Sequence, residues 1–221
     1  NTPVRLWLGG DDVNRDYRDP TLLPTEALAE QMQAYLAAVP YPIALQQFNQ
    51  LDSHDVSRIL RVVDGNTNLV KLAIALLMAF PGVPCLYYGT EIGLDGGHDP
   101  DNRRTMLWDE ADWNMSLLEH TKAWIQARQA SSALKHGGIE FLYAVDDVLA
   151  FARHSEDETL IFVGYRGKQV SGDIAISVKN AGIVDGVLQD RISDDRYVVQ
   201  NGMLKLSGMQ PGAAFLLELN H

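Results

Sequence analysis

A histidine and an aspartate stand side by side where a short apolar run ends. The run begins at Phe48 and gives way to Asp52-Ser-His-Asp, so that His54 and Asp55 directly follow a predicted strand. In parallel β/α architectures, ligands bind at the carboxyl ends of the strands. An imidazole and a carboxylate at such a strand end can contact the same bound molecule. The structural alternative is a loop aspartate that caps the next helix, with a histidine hydrogen-bonded to the backbone.

A long polar segment, residues 89–110, follows the next apolar run. Loops of this length without regular structure are uncommon in compact domains unless they are functional or disordered. The side chains of Asp99 and Arg103 can hydrogen-bond sugar hydroxyl groups from two directions, and Trp108 can cover a sugar ring. The segment is therefore a candidate site for a neutral ligand that is rich in hydroxyl groups.

A calcium loop is the main alternative for this segment. Asp99, Asp101 and Glu110 occupy the first, third and twelfth positions of the calcium-loop pattern. The pattern fails at two other positions, because Arg103 stands where a ligand oxygen is needed and Arg104 stands where the turn requires glycine. We therefore predict no metal site and no cofactor.

Helical and strand-like patterns alternate in the first part of the chain. The helical patterns cover roughly residues 25–39, 67–80 and 116–134, and the strand-like runs cover residues 48–51 and 85–88. Ser116 and Glu119 have the spacing of a capping box at the start of the third helix. The segment before residue 21 shows no period, and we predict it to be irregular. The alternation predicts an α/β arrangement with a parallel sheet.

The pattern changes after Gly137 and Gly138. Seven short β-like runs follow, separated by Gly, Asn and Asp clusters. Several short strands at near-regular spacing, without a helical period, are typical of an antiparallel sandwich. We therefore predict two domains, residues 1–136 and residues 137–221, of which the second is a small β-sandwich.

The composition excludes several classes of function. Asp and Glu number 29 and Lys and Arg number 18, so the net charge is −11, and the basic residues form no cluster. Such a chain is a poor partner for nucleic acid or an anionic membrane surface. No apolar run reaches the ~20 residues that a membrane-spanning helix needs.

The single cysteine, Cys85, lies in an apolar run, which favours a reducing cytoplasm.

Three segments resemble the motifs of one known family, in the same order along the chain. Residues 48–55 resemble the last short motif of the α-amylase family of glycoside hydrolases, and residues 81–91 resemble that family's eighth barrel strand and its exit loop. Residues 97–108 resemble the subgroup of maltodextrin glucosidase, neopullulanase and cyclomaltodextrinase. Residues 49–55 and 133–138 look most like the first of these. The resemblance covers about residues 25–165.

The resemblance implies the C-terminal part of a TIM-type β/α barrel, with strands seven and eight and their helices, followed by a β-sandwich. It implies a retaining hydrolase of α-1,4-linked maltodextrins as the parent protein. The alternatives are a neopullulanase or cyclomaltodextrinase, or a non-catalytic carbohydrate-binding protein derived from the fold. By the same resemblance, Asp55 is the carboxylate that stabilises the transition state, and His54, Asp99 and Arg103 bind the substrate. For Arg103, a structural pair with a carboxylate is the alternative.

The two other catalytic groups of the family are not recognisable. Its nucleophile follows a Gly-x-Arg-x-Asp pattern and its acid/base glutamate lies on the next strand, and neither pattern occurs in this sequence. A TIM barrel takes ~250 residues, and only about 135 precede the predicted β domain. We therefore expect the C-terminal part of a longer enzyme, inactive alone. Its open barrel edges should contact either the remaining part of that enzyme or a second copy.

Overall fold

The computed structural model describes residues 2–10 and 21–219. Its helices are α1 (Thr2–Gly9), α2 (Thr25–Ala37), α3 (Tyr41–Ala44), α4 (Ile59–Val62), α5 (Thr67–Ala79), α6 (Met115–Ala130) and α7 (Ser132–His136). Its strands are β1 (Phe48–Gln50), β2 (Val83–Cys85), β3 (Gly138–Val145), β4 (Val148–His154), β5 (Thr159–Tyr165), β6 (Ile174–Ser177), β7 (Gly186–Asp190), β8 (Arg196–Gln200), β9 (Met203–Leu206) and β10 (Ala214–Leu219). Among the described residues, no helix has the length and apolar character needed to cross a membrane.

The start of the chain differs from its prediction. Residues 2–9 form helix α1, so the prediction of irregular structure is wrong there. A helix of 8 residues is too short to be stable alone. It forms because Trp7 and Leu8 are buried in the core. The segment is too short for this burial to appear as a helical period of apolar residues in the sequence. The polar run of residues 11–20 lies outside the described residues.

Helix α6 begins earlier than its predicted capping box. Asn114 is its N-cap, and the Asn114 side chain accepts a hydrogen bond from the N–H of Leu117 at 3.0 Å. Asparagine is among the best N-cap residues, so the helix starts there. The predicted box is wrong, because the Ser116 hydroxyl accepts from Lys71 at 2.7 Å and Glu119 pairs with Lys122 at 2.8 Å.

Strands β1 and β2 form a two-stranded parallel sheet. Phe48 lies opposite Val83, and Gln50 lies opposite Cys85. The second strand therefore lies two residues before its predicted position. Residues 86–88 lie outside the sheet, and the rings of Tyr87 and Tyr88 pack on the buried Arg58.

The other eight strands form one antiparallel sheet in the order β3-β4-β5-β10-β7-β8-β9-β6. The antiparallel all-β character predicted for this part is confirmed. The pairing joins all eight strands, rather than dividing them into the two separate sheets of a sandwich, because the last strand lies between β5 and β7 and links the two groups. The outermost strands, β3 and β6, approach each other, so the sheet nearly closes. Strand β8 escaped prediction because Val199 is its one buried residue.

One apolar core joins the helices to this sheet. Helix α5 contributes Leu72 and Leu76, and α6 contributes Trp124. The Trp124 ring meets Phe162 at a centroid distance of 6.0 Å, and Phe162 stacks on Phe151 at 4.8 Å. Full burial of such side chains contributes about 1.5–3 kcal/mol each. The helical part and the sheet therefore share a core, and the division into two domains at residue 137 stays a prediction.

Candidate functional site

His54 and Asp55 occupy the tip of a tight turn after β1, residues 53–56, which we call the site turn. Ser53 and Val56 form an antiparallel bridge, and the Asp55 N–H donates to the Ser53 hydroxyl at 3.2 Å. His54 Nε2 lies 3.2 Å from Asp55 Oδ1, and the two side chains are 58% and 72% exposed. The turn therefore presents an imidazole and a carboxylate together to solvent.

Asp99 and Arg103 lie in the segment after β2, within residues 96–104, which we call the site loop. Arg103 Nε donates to Asp99 Oδ1 at 2.5 Å, and both side chains are exposed. This hydrogen bond raises the pKa of Arg103 above its ordinary value, and the Asp55 carboxylate acts in the same direction. Arg103 thus pairs with a carboxylate of its own loop and also lies within electrostatic reach of the site turn.

The parallel pairing of β1 and β2 explains why these segments meet. The two strands run side by side in register, with Gln50 opposite Cys85. Their carboxyl ends therefore lie at the same edge of the sheet, which is where ligands bind in parallel architectures. The site turn follows one strand and the site loop follows the other, so the four predicted residues gather at this edge.

A buried carboxylate ties the two exits together beneath the site. Asp52 is 2% exposed, and its Oδ2 accepts from the Ile59 N–H at 2.9 Å at the start of α4. Its Oδ1 accepts from the Thr90 hydroxyl at 2.9 Å. Burial raises the pKa of Asp52, while these hydrogen bonds and the nearby Arg58 and Arg5 act against that rise. The aspartate that caps the next helix is therefore Asp52, and Asp55 stays at the exposed tip.

Within the site loop, Asp101 has a structural position. Its Oδ2 accepts from the Gly97 N–H at 2.6 Å, and Arg104 donates to both of its oxygens at 2.7 and 2.8 Å. The hydrogen bonds from Arg104 and then Gly97 hold the pKa of the Asp101 carboxyl below its usual range. These contacts close the site loop on itself.

Trp108 is 84% exposed on the segment that leaves the site loop. Two hydrogen bonds hold the backbone that precedes it. The Tyr88 hydroxyl donates to the Arg104 carbonyl at 2.7 Å, and Trp113 Nε1 donates to the Leu107 carbonyl at 2.7 Å. The indole ring therefore projects into solvent from an anchored segment.

Sequence patterns missed the residues that hold the two segments. Arg58 and Asn102 are both fully buried polar residues. Asn102 Nδ2 donates to the carbonyls of Ser53 and Val56, at 3.3 and 3.0 Å, and so fastens both ends of the site turn. No periodicity marks these residues, because Arg58 precedes a helix of 4 residues and Asn102 lies in a 3-10 turn.

Comparison with known proteins defines the class. The model of the alpha amylase catalytic domain matches residues 20–136, which is more than half of the chain. The chain therefore belongs to the α-amylase family, as its motifs predicted. Cyclomaltodextrinase of Geobacillus thermopakistaniensis (strain MAS1) is 34% identical over 178 residues, which cover 75% of this chain and 30% of that protein.

A second relative and a solved structure agree with this family membership. Neopullulanase 2 of Thermoactinomyces vulgaris is 31% identical over 215 residues, which cover 91% of this chain and 36% of that protein. The crystal structure of the acarbose-soaked debranching enzyme of Nostoc punctiforme matches with a TM-score of 0.78 at 28% identity, covering 98% of this chain and 44% of that one. The chain thus spans about a third of the length of these curated relatives.

Proposed function

We propose that this chain carries the part of an α-glucan hydrolase active site that holds the cleaved sugar through the transition state. One geometric observation carries the proposal: the His54–Asp55 pair after β1 and the Asp99–Arg103 pair after β2 lie exposed at one sheet edge. Membership of the α-amylase family supports the reaction class, and the names of the relatives support a glucan substrate.

The chemistry of the four side chains suits an oxocarbenium-like transition state. Hydrogen bonds to the sugar 2-hydroxyl that strengthen in this state supply several kcal/mol in glycoside hydrolysis. In the proposal, the Asp55 carboxylate accepts such a bond and His54 holds the neighbouring hydroxyl. Asp99 and Arg103 bind hydroxyl groups of the same sugar from the other side. Their mutual pairing keeps each side chain oriented before the sugar arrives.

The proposal assigns neither the nucleophile nor the acid/base to these 221 residues. A retaining mechanism needs two carboxylates ~5–5.5 Å apart, and the family's nucleophile pattern does not occur in the sequence. We propose that β1 and β2 are the seventh and eighth strands of a TIM-type barrel, and that the remainder of a longer parent supplies both groups. The 221-residue chain should then bind sugar without hydrolysing it.

Titration calorimetry with acarbose tests this proposal. The wild-type chain should bind, and Asp55→Asn should bind at least about tenfold more weakly, because a hydrogen bond to a charged group contributes more than one to a neutral group. Asp157→Asn makes the same chemical change in the exposed turn between β4 and β5 and should leave the affinity unchanged. A wild-type chain that does not bind, or equal losses in both variants, would contradict the proposal.

The substrate within the α-glucans is a finer proposal. We propose short α-1,4-linked maltodextrins, on the likeness of residues 49–55 and 133–138 to maltodextrin glucosidase. A cyclomaltodextrinase or neopullulanase is the second candidate, which the names of the two curated relatives favour. Rates of the native gene product on maltotriose, a cyclomaltodextrin and pullulan separate the two candidates. Sugar binding without turnover would instead indicate a non-catalytic carbohydrate-binding protein.

The outer edge of β1 is a proposed contact surface. No described strand pairs with this edge. A mainly apolar groove of about 520 Å³ runs beside it, with Tyr35 and Phe48 exposed by 67% and 75%. Unpaired edges and large apolar patches promote association. We propose that the remainder of the parent enzyme covers this groove.

Light scattering after size-exclusion chromatography tests that surface. The isolated chain, with its groove uncovered, should self-associate with rising concentration, and Phe48→Ser should reduce the association. A wild-type chain that stays monomeric at every concentration would count against the proposed contact surface.

The proposed compartment is the cytoplasm. The sequence has a single cysteine, and Cys85 is a half-buried free thiol in β2. Secreted domains more often carry cysteines in disulfide-bonded pairs. Fractionation of cells that express the native gene product tests the prediction.

A further inference from the structure

A fully buried arginine stands between the two segments that form the candidate site. Arg58 lies two residues after the site turn, and its backbone N–H donates to the carbonyl of Gly96 at 2.9 Å. Its Nε donates to the carbonyl of Asn102 at 2.9 Å, and one of its Nη groups donates to the carbonyl of Tyr88. Arg58 thus makes three hydrogen bonds to the chain that follows β2.

Two tyrosine rings cover the same guanidinium group. The Arg58 Cζ atom lies 4.0 Å from the ring centroid of Tyr87 and 4.5 Å from that of Tyr88. Such cation–π contacts attract the guanidinium group to the faces of the two rings. The Tyr88 hydroxyl then reaches the Arg104 carbonyl at the end of the site loop. The exit of β2 is therefore shaped around Arg58.

Arg58 is also connected, through Asn102, to the site turn. Arg58 holds the backbone carbonyl of Asn102, and the Asn102 side chain donates to the carbonyls of Ser53 and Val56. A change in the position of the guanidinium group therefore moves the residue that clasps both ends of the site turn. The site loop and the site turn cannot shift independently while these bonds persist.

We propose that Arg58 is a positioning residue that sets the separation of the site turn and the site loop, so that His54–Asp55 and Asp99–Arg103 engage one sugar. The inference rests on the proposed function. Arg58 itself is fully buried, so its proposed role is to hold the two segments and not to contact the sugar. The planar, forked guanidinium serves several acceptors and stacks on aromatic rings, which the ammonium group of lysine does not reproduce.

Arg128 provides a matched control at the opposite end of β2. It is also buried, and its guanidinium donates to the carbonyls of Met78, Phe80 and Gly82. All three acceptors lie just before β2, at its amino end, whereas the site turn and the site loop lie at the carboxyl ends of β1 and β2. Loss of the Arg128 fork should therefore destabilise the fold without changing the site.

The test compares Arg58→Lys with Arg128→Lys in the 221-residue chain. Both variants should unfold at lower urea concentration than the wild type. Acarbose affinity is measured by calorimetry at a temperature where circular dichroism shows all three proteins folded. Arg58→Lys should bind about tenfold more weakly, because small displacements of binding groups have large effects, while Arg128→Lys should bind like the wild type. Wild-type affinity in Arg58→Lys, or equal losses in both variants, would overturn the inference.

A second measurement separates this inference from the proposed function. If the wild-type chain does not bind acarbose, the sugar site is contradicted, and the positioning role is judged from amide nuclear magnetic resonance spectra without ligand. Arg58→Lys should shift amide resonances of both the site turn and the site loop, and Arg128→Lys should leave both unchanged. Shifts confined to one of the two segments would refute the positioning role.

Discussion

The Thr90 hydroxyl donates to the buried carboxylate of Asp52 at 2.9 Å, and this hydrogen bond joins the exit of β1 to the exit of β2. Asp52 accepts a second bond from the Ile59 N–H, at the start of α4. Neither Asp52 nor Thr90 is exposed to solvent. The Asp52–Thr90 hydrogen bond therefore lies buried beneath the exposed candidate residues, without direct contact with them.

Replacing Thr90 with valine removes this donor and nearly preserves the volume of the side chain. Asp52 then keeps its burial with one hydrogen bond fewer, so the free energy of unfolding should fall by about 1–3 kcal/mol. Thr105→Val, at an exposed position of the same segment, should change it by less than about 0.5 kcal/mol. Urea unfolding monitored by circular dichroism distinguishes the two, and equal effects would show that the Asp52–Thr90 bond does not stabilise the fold.

His120 should make the fold sensitive to mild acid. Burial lowers the pKa of His120 from 6.5 to about 4, while the hydrogen bond from Nε2 to the Lys71 carbonyl acts in the opposite direction. The folded protein therefore keeps a neutral imidazole at a pH where the unfolded chain has taken up a proton. His120 therefore does not change the free energy of unfolding above pH 6.5. As the pH falls from about 6.5 to about 4, it lowers that free energy by up to about 3 kcal/mol.

Urea unfolding at several pH values between 7.5 and 4.5 checks this effect. His120→Gln, which does not titrate, should flatten the pH dependence of the free energy of unfolding in this window. His136→Gln replaces an exposed histidine in α7 and should retain the wild-type slope. Identical slopes in the wild type and His120→Gln would disprove the assignment.

Glu158 should stabilise the junction between the helices and the sheet. It accepts from the Ser131 hydroxyl and, at 2.8 Å, from the Ala133 N–H at the start of α7, and it pairs with Arg191 at 2.9 Å. Burial acts to raise the pKa of Glu158, but these hydrogen bonds and the Arg191 charge outweigh it and hold the pKa below the ordinary 4.5. Its contribution to stability is therefore present above pH 4.5 and is lost as the pH falls below it.

Glu158→Gln should lower the free energy of unfolding at pH 7 by about 1–3 kcal/mol, because a charged acceptor of several hydrogen bonds is lost. Glu156→Gln, in the same turn but exposed, should change it by less than about 0.5 kcal/mol. Thermal unfolding of both variants is the measurement. A loss in Glu158→Gln no larger than in Glu156→Gln would remove the assigned role.

Trp108 should contribute to sugar affinity and not to stability. The ring is 84% exposed, so Trp108→Ala should change the free energy of unfolding by less than about 0.5 kcal/mol. Stacking of the indole on a sugar ring should make acarbose binding several-fold weaker in this variant, whereas Trp108→Phe should retain part of the affinity. Unchanged affinity in Trp108→Ala would exclude the ring from the site.

Sequence patterns predicted the parts of the fold that local rules govern. Helices α2 and α5 have clear apolar periods. His54 and Asp55 follow the apolar run that forms β1, and Asp99 and Arg103 lie downstream of the apolar run that forms β2, its parallel neighbour. The family followed from three short segments in order. The roles of the four site residues stay predictions, supported by their common location.

Long-range pairing accounts for what the sequence patterns missed. Strand β10 is recognisable as a strand, but its place between β5 and β7, which merges the strands into one sheet, depends on contacts far apart in the chain. Arg58 and Asn102 have the residue types of surface positions, and their burial arises because the exits of two strands fold around them. Likewise, Trp7 stabilises a helix that has no visible period.

The most direct test of the central claim is an acarbose titration of the isotope-labelled 221-residue chain, followed by amide nuclear magnetic resonance. If the two strand exits form one sugar site, amide resonances of residues 53–56 and 96–104 should shift together with a single dissociation constant, and Asp55→Asn should weaken both responses equally. Shifts in one segment alone, or binding elsewhere on the chain, would contradict a shared site.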